Sequence, residues 1–168
     1  WFAEHHLSNY CLMPSPLMAC AYLAPMTETI RLGPAVIVAP LYNPVRVAQE
    51  VAIVDVMSNG RLKLGIGSGY QDYEFDRFGV KLSESIPMTM EMLDIIELAL
   101  TRDTFAYEGK HYQIPETQIA VKSIQKPLPE IWFAGLNSRP EVQDRIVASG
   151  YCPMNSSAWM PVSFMGKA

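Results

Sequence analysis

The chain has 168 residues, 49% of them hydrophobic and 18% charged, with a formal net charge of −4. That is enough apolar material for one packed domain and excludes a disordered chain. A mildly acidic chain has no general attraction to nucleic acid or anionic lipid, and no apolar run reaches the length of a membrane span.

The chain opens at Trp1, without an initiator Met or a signal-peptide pattern, and reads as a piece of a longer protein. Its three cysteines, Cys11, Cys20 and Cys152, show no C-x-x-C spacing. An odd count without that spacing argues against a disulfide framework or a thiolate zinc site and fits a reducing cytoplasm.

Trp1 to His6 is a short apolar run ending in Glu4-His5-His6 and is expected to be the end of a buried strand. A Ser/Pro-rich loop follows, then an Ala-rich helix over Leu17 to Met26 that Pro25 ends or kinks. Ile30 to Val38 is β-branched and strand-like, closed by Pro40. Asn43-Pro44 reads as the cap and first position of a helix with Val47, Val51 and Val54 on one face and a stop at Asn59-Gly60. Arg61 to Gly69 is a strand running into a glycine turn, and the alternation of Leu62, Leu64 and Ile66 with Arg61, Lys63 and Gly65 gives its first half one wetter face. Tyr70 to Val80 is polar and aromatic, either loop or short helix.

Ser83 to Thr101 is helical, with Met88, Met92, Ile95 and Ala99 as a core stripe and Pro87 near its start. Phe105 to Ile114 predicts a hairpin turning at Glu108-Gly109. Ile131 to Ala134 is a short buried strand, and Pro140 to Ala148 a helix stopped by Gly150. The alternation of strands and helices means βαβ units and a parallel sheet, in either a doubly wound or a (β/α)8 arrangement. No repeat or low-complexity linker divides the chain.

Chemistry in such folds gathers at the C-terminal ends of the strands. Those ends carry Glu4-His5-His6, Ala39-Pro40-Leu41, Gly67-Ser68-Gly69 and Ala134-Gly135-Leu136-Asn137. One His of the first group suits acid–base work near neutral pH, and strand alternation would turn only one of the two toward a given pocket. A structural, hydrogen-bonded His at a strand end is the equal alternative. Zinc lacks a third ligand at a recognisable spacing, since His111 falls in the predicted hairpin. Gly65-Ile66-Gly67-Ser68-Gly69 lacks the third glycine of a dinucleotide fingerprint and the Lys of a phosphate loop. It reads either as a tight turn or as a place where backbone approaches a flat or anionic ligand. Gly67-Ser68-Gly69 is too short for a nucleophile elbow.

Taken in order, Ala3-Glu4-His5-His6, Ile30-Arg31-Leu32-Gly33, Asn43 to Ala48, Ser58 to Leu62, Gly65 to Tyr70, Phe78-Gly79-Val80, Tyr107 to Tyr112, Gln125-Lys126-Pro127 and Ile131 to Gly135 resemble the bacterial-luciferase-like flavin monooxygenases. The resemblance implies an α/β fold of the (β/α)8 TIM-barrel type, with residues 1–168 forming a single partial barrel domain that supplies roughly the second to the sixth strands. It implies an enzyme in which reduced FMN and O2 oxidise a small organic substrate, with the flavin supplied by a separate reductase. The resemblance also implies a homodimer through barrel helices, and a small-molecule substrate, with no nucleic acid or membrane as partner. A deazaflavin-dependent oxidoreductase, or a truncated relative that binds flavin without catalysis, are the alternatives.

The resemblance makes His5 the acid–base residue. It makes Glu4, Ala35, Val36, Gly67, Ser68, Gly69, Ala134, Gly135, Asn137 and Ser138 the cofactor-binding set, with no metal. Many relatives carry Arg where this chain has Ser68, so a phosphate-pairing cation is missing there. Luciferases proper carry a reactive Cys at the position of Gly67. A non-proline cis peptide is expected between Ala35 and Val36.

Overall fold

The structure is a computed structural model that describes residues 1–134 and 140–154. Its framework is a parallel sheet. Strands β1 (Ile37–Val38), β2 (Leu64–Gly67), β5 (Ile131–Ala134) and β6 (Cys152–Met154) lie side by side in that order. The register pairs Val38 with Gly67, Gly67 with Ala134 and Ala134 with Met154. A separate antiparallel hairpin, β3 (Phe105–Glu108) and β4 (Gln113–Thr117), stands between β2 and β5 in sequence.

Two predicted strands are shorter than expected. Ile30 to Val38 pairs regularly only at Ile37–Val38. Before that, Leu32 bridges Leu62 and Pro34 bridges Phe2, both in parallel sense. Pro34 has no N–H to give to a ladder, which breaks regular pairing at its position. The Ala35–Val36 bond is cis, as expected. The segment from Trp1 to His6 contributes one bridge, at Phe2, held by Phe2 N–H to Gly33 O (3.0 Å) and Ala35 N–H to Phe2 O (2.7 Å). It leaves the sheet before Glu4, and Leu7 takes a left-handed φ of 61°. The alternation argument for the two histidines therefore has no strand to act on.

Helices α1 (Pro16–Leu23), α2 (Pro44–Met57), α3 (Asp72–Phe78), α4 (Ser85–Thr101) and α5 (Pro140–Ser149) link these strands. Asn43 caps α2 as predicted, its Oδ1 accepting Arg46 N–H at 3.1 Å, with Pro44 at the first helical position. Val47, Val51 and Val54 are buried. The ambiguous stretch after Tyr70 resolves as α3, stopped by Gly79 in the left-handed region at φ 71°. The predicted helix from Ser83 begins α-helically at Ser85, with Pro87 inside its first turn, where a missing N–H costs nothing. Met92, Ile95 and Ala99 of the predicted stripe are fully buried, joined by Leu93 and Ile96.

One core joins α1, α2 and α4 to Leu62, to Leu64 and Ile66 of β2, and to Ile131 and Phe133 of β5. Residues of the other parity, Gly65, Gly67, Trp132 and Ala134, face the opposite side. Small residues dominate there because the Pro34–Val36 segment comes close, through backbone at Pro34 and a side chain at Val36. A Cβ on Gly65 would lie 2.1 Å from the Pro34 carbonyl oxygen, and one on Gly67 would lie 2.8 Å from Val36 Cγ2. Among the described residues no helix is long and apolar enough to cross a membrane.

Two buried or half-buried carboxylates fasten the connections. Glu91 of α4 accepts the N–H groups of Lys110 (2.9 Å), His111 (3.0 Å) and Tyr112 (3.1 Å), closing the hairpin turn. Asp55 of α2 is fully buried and accepts from the Ser123 hydroxyl, from Gln125 N–H at 2.9 Å and from Gln125 Nε2 at 2.6 Å. It ties the chain after the hairpin back to α2. Asp55→Ala removes one acceptor and strands several donors, so we expect a loss of about 3 kcal/mol or more in urea unfolding. A loss below about 1 kcal/mol would show that solvent or a neighbour replaces the carboxylate.

Candidate active site

The C-terminal ends of β1 and β2 converge on the Glu4-His5-His6 segment. Glu4 is 3% exposed. Its Oε2 accepts the N–H of Val38, the last residue of β1, at 3.2 Å. Its Oε1 and His6 Nε2 lie 2.7 Å apart in a hydrogen bond, and the Tyr42 phenol, which donates to Pro14 O at 3.4 Å, feels the charge of the same carboxyl. The His6 ring rests edge-on against Phe78 of α3, with centroids 4.8 Å apart.

A second carboxylate serves His5. Glu74 of α3 is 1% exposed, and its Oε1 lies 3.0 Å from His5 Nδ1. The same oxygen accepts the backbone N–H of His6 at 2.8 Å and the Tyr73 hydroxyl at 3.3 Å. On its other edge, His5 Nε2 lies 3.4 Å from the Tyr70 hydroxyl. Tyr10 and Tyr70 stand edge-on to the imidazole, with centroids at 4.6 and 5.7 Å. Both histidines are thus paired with buried carboxylates, and the difference between them lies in what surrounds the other ring edge.

Beside this cluster, Val36, Gly67 and Ala134 form a patch of small residues at the strand ends, with Ala35 next to it. Ala35, Val36 and Ala134 are half-buried. Ser68 follows directly, half-buried, and Gly69 turns the chain at φ 74° against Val38 and Phe75. The glycine run is therefore accounted for first by protein packing, since Gly65, Gly67 and Gly69 each press on neighbouring residues. The structure brings together Glu4, His5, Ala35, Val36, Gly67, Ser68, Gly69 and Ala134 at one edge of the sheet. Gly135, Asn137 and Ser138 lie outside the described residues.

Glu74, Tyr70, Tyr10 and Tyr42 are absent from the set drawn from the sequence. The spacing held a clue for one of them: Glu74, Phe75 and Phe78 share a face of α3, and a carboxylate on an aromatic helix face is buried for a reason. The tyrosines come from three distant segments and carry no local signature.

A family model described as luciferase-like monooxygenase matches residues 1–146. The chain belongs to the luciferase-like monooxygenase family. It is 35% identical over 136 residues to the oxygenase component of the flavin-dependent trigonelline monooxygenase of Acinetobacter baylyi, covering 80% of this chain and 38% of that protein. The fold superposes on the crystal structure of monooxygenase RslO1 from Streptomyces bottropensis with a TM-score of 0.90 at 23% identity, covering 95% of this chain and 48% of the other. The FMN complex of the oxygenating constituent of 3,6-diketocamphane monooxygenase from Pseudomonas putida matches at 0.78 and 24% identity, covering 90% and 45%. An F420-dependent secondary alcohol dehydrogenase matches at 0.69 and 18% identity, covering 79% and 42%. The barrel fold expected from the sequence is thus the fold of these neighbours, and the chain spans less than half the length of each of these proteins.

Burial lifts the Glu4 carboxyl above its ordinary value, against the opposing pull of the His6 and Val38 hydrogen bonds and of the Tyr42 phenol. An acid raised on folding holds its proton more tightly in the native chain. Its contribution to stability is then fullest below the ordinary carboxyl value of 4.5 and falls as pH rises toward the native value. Glu4→Gln does not titrate, so its deficit in urea unfolding relative to the parent should shrink between pH 4 and pH 7. An equal deficit at both pH values would contradict this.

Proposed function

We propose that this chain carries the acid–base and flavin-facing part of the oxygenase component of a flavin-dependent monooxygenase, which uses reduced FMN from a separate reductase on a small organic substrate. The observation that carries the reading is the His5–Glu74 pair beside a half-open patch of small residues at the strand ends. The donor set fits a flavin. A flat ring system needs a floor without bulky side chains, which Ala35, Val36, Gly67 and Ala134 supply. It also needs a proton-exchanging group at its edge, which His5 supplies. Five parallel segments, at Phe2, Leu32–Val38, Leu62–Gly67, Ile131–Ala134 and Cys152–Met154, support the assignment of this chain to the second to sixth barrel strands.

Bound reduced flavin supplies the electrons that activate O2. The work of this chain is to seat the ring, keep it dry and move a proton. Glu74 holds the imidazole by Nδ1 and leaves Nε2 as the working edge. Gly135, Asn137 and Ser138 complete the proposed cofactor set. Ser68 offers the flavin phosphate a hydroxyl and no charge.

A second reading, hydride transfer with a deazaflavin coenzyme, draws on the F420-dependent fold neighbour. Anaerobic titration of the full chain with reduced FMN and with coenzyme F420 separates the two: preferential binding of F420 would overturn the FMN reading. In the full chain, with trigonelline and an alkanal, the compounds named for two relatives, as probes, His5→Ala should slow oxidation by about two to four orders of magnitude with a modest loss of flavin affinity. Equal rates in variant and parent would remove the acid–base role. Ser68→Arg should tighten FMN more than riboflavin, because only FMN carries a phosphate. Identical gains for both ligands would count against a phosphate near Ser68.

A further inference from the structure

We propose that Tyr70, His5 and Glu74 form a three-member relay in which the Tyr70 hydroxyl is the group that exchanges a proton with a bound reactant. This rests on the acid–base role proposed for His5 and moves the point of contact outward from the imidazole.

Glu74, buried and a pure acceptor when ionised, faces His5 Nδ1 at 3.0 Å. The proton of the neutral imidazole therefore sits on Nδ1, and the lone pair sits on Nε2. The group facing that lone pair is the Tyr70 hydroxyl at 3.4 Å, so the phenol is the donor. His5 has little surface of its own: its side chain is 12% exposed and is flanked by the rings of Tyr10 and Tyr70. Tyr70 is 59% exposed. A reactant arriving at the strand ends meets the phenol before it meets the imidazole. Tyr70 follows Gly67-Ser68-Gly69 at the end of β2, and Gly69 turns the backbone just before it at φ 74°.

The proton count closes. When the reactant gives up a proton, the phenol oxygen accepts it while the Tyr70 proton passes to His5 Nε2. The phenol is regenerated, and the imidazolium is held against the Glu74 carboxylate. Protonation of a product runs the same transfer backward. This is the nucleophile–base–orienter arrangement generalised to a hydroxyl that moves a proton rather than forming a bond. Burial and the neighbouring Tyr10 hydroxyl raise the Tyr70 phenol, so it works as a neutral relay and not as a stored phenolate.

Tyr70→Phe keeps the ring contacts and deletes only the hydroxyl. In full chain labelled with 15N-histidine, long-range proton–nitrogen spectra should show His5 protonated on Nδ1 with Nε2 as a hydrogen-bonded acceptor. Tyr70→Phe should move Nε2 to the value of a free acceptor and leave the tautomer unchanged, whereas Glu74→Gln should lose the tautomer preference. Tyr70→Phe should also lower kcat on the probe substrates by about 10²-fold or more, with KM little changed. An unshifted Nε2 in Tyr70→Phe overturns the relay. So does a parental kcat in Tyr70→Phe alongside an inactive His5→Ala, an outcome that leaves the acid–base reading of His5 standing. A parental rate in His5→Ala overturns that reading and the relay with it.

Discussion

The close approach of the Pro34–Val36 segment to β2 is the constraint from which the site follows. Two strands at normal spacing leave room for side chains on both faces. Here the carbonyl of Pro34 occupies the space above Gly65, and the Val36 side chain occupies the space above Gly67. Neither position tolerates a Cβ without displacement. Two residues beyond Val36, the Val38 N–H reaches the buried Glu4 carboxyl, and on the other side of β2 Gly67 pairs with Ala134. The sheet thus has one face built for helices and another kept low at its C-terminal edge.

Around that edge, charge is managed by burial in pairs. Isolated buried carboxylates are costly, and both of those near the histidines have several hydrogen-bond donors. Glu74 collects three donors on one oxygen, from an imidazole, a backbone amide and a phenol. One of those donors belongs to His6, so the backbone of one histidine and the ring of the other are fixed by a single group. Adjacent residues that a regular strand would have sent apart are held together by side-chain chemistry after the strand ends.

Much of the framework is legible in the sequence because local rules decide it. Asn43-Pro44 starts a helix for reasons contained in those residues and the valines that follow, and the Ile131 to Ala134 strand reads directly from its apolar run. The N-terminal strand is less legible. Its apolar residues promise pairing, yet pairing depends on a partner segment interrupted by Pro34, 28 residues further on from the His6 end of the run. At the site, the histidines and the glycine turn are visible as motifs. The residues that orient the histidines are visible only once α3 has a direction: Glu74 is one of three acids in that seven-residue helix, with Asp72 and Asp76, and differs from them by the side it occupies. Tyr10 and Tyr70 meet across the imidazole only because the loop after His6 and the turn after β2 end at the same place.

The hairpin β3–β4 forms a two-stranded sheet of its own, apart from the parallel one. Its turn makes its backbone contacts with helix α4 through one carboxylate, Glu91, which gathers three consecutive amides. The hairpin is anchored beneath that turn as well: Phe105 lies in the main core, and Tyr107, Tyr112 and Ile114 pack against it. Sequence and length at the hairpin tip are then free to drift so long as three N–H groups return to one acceptor. Change is then confined to the tip, because the hairpin's base shares its core with the sheet through Phe105.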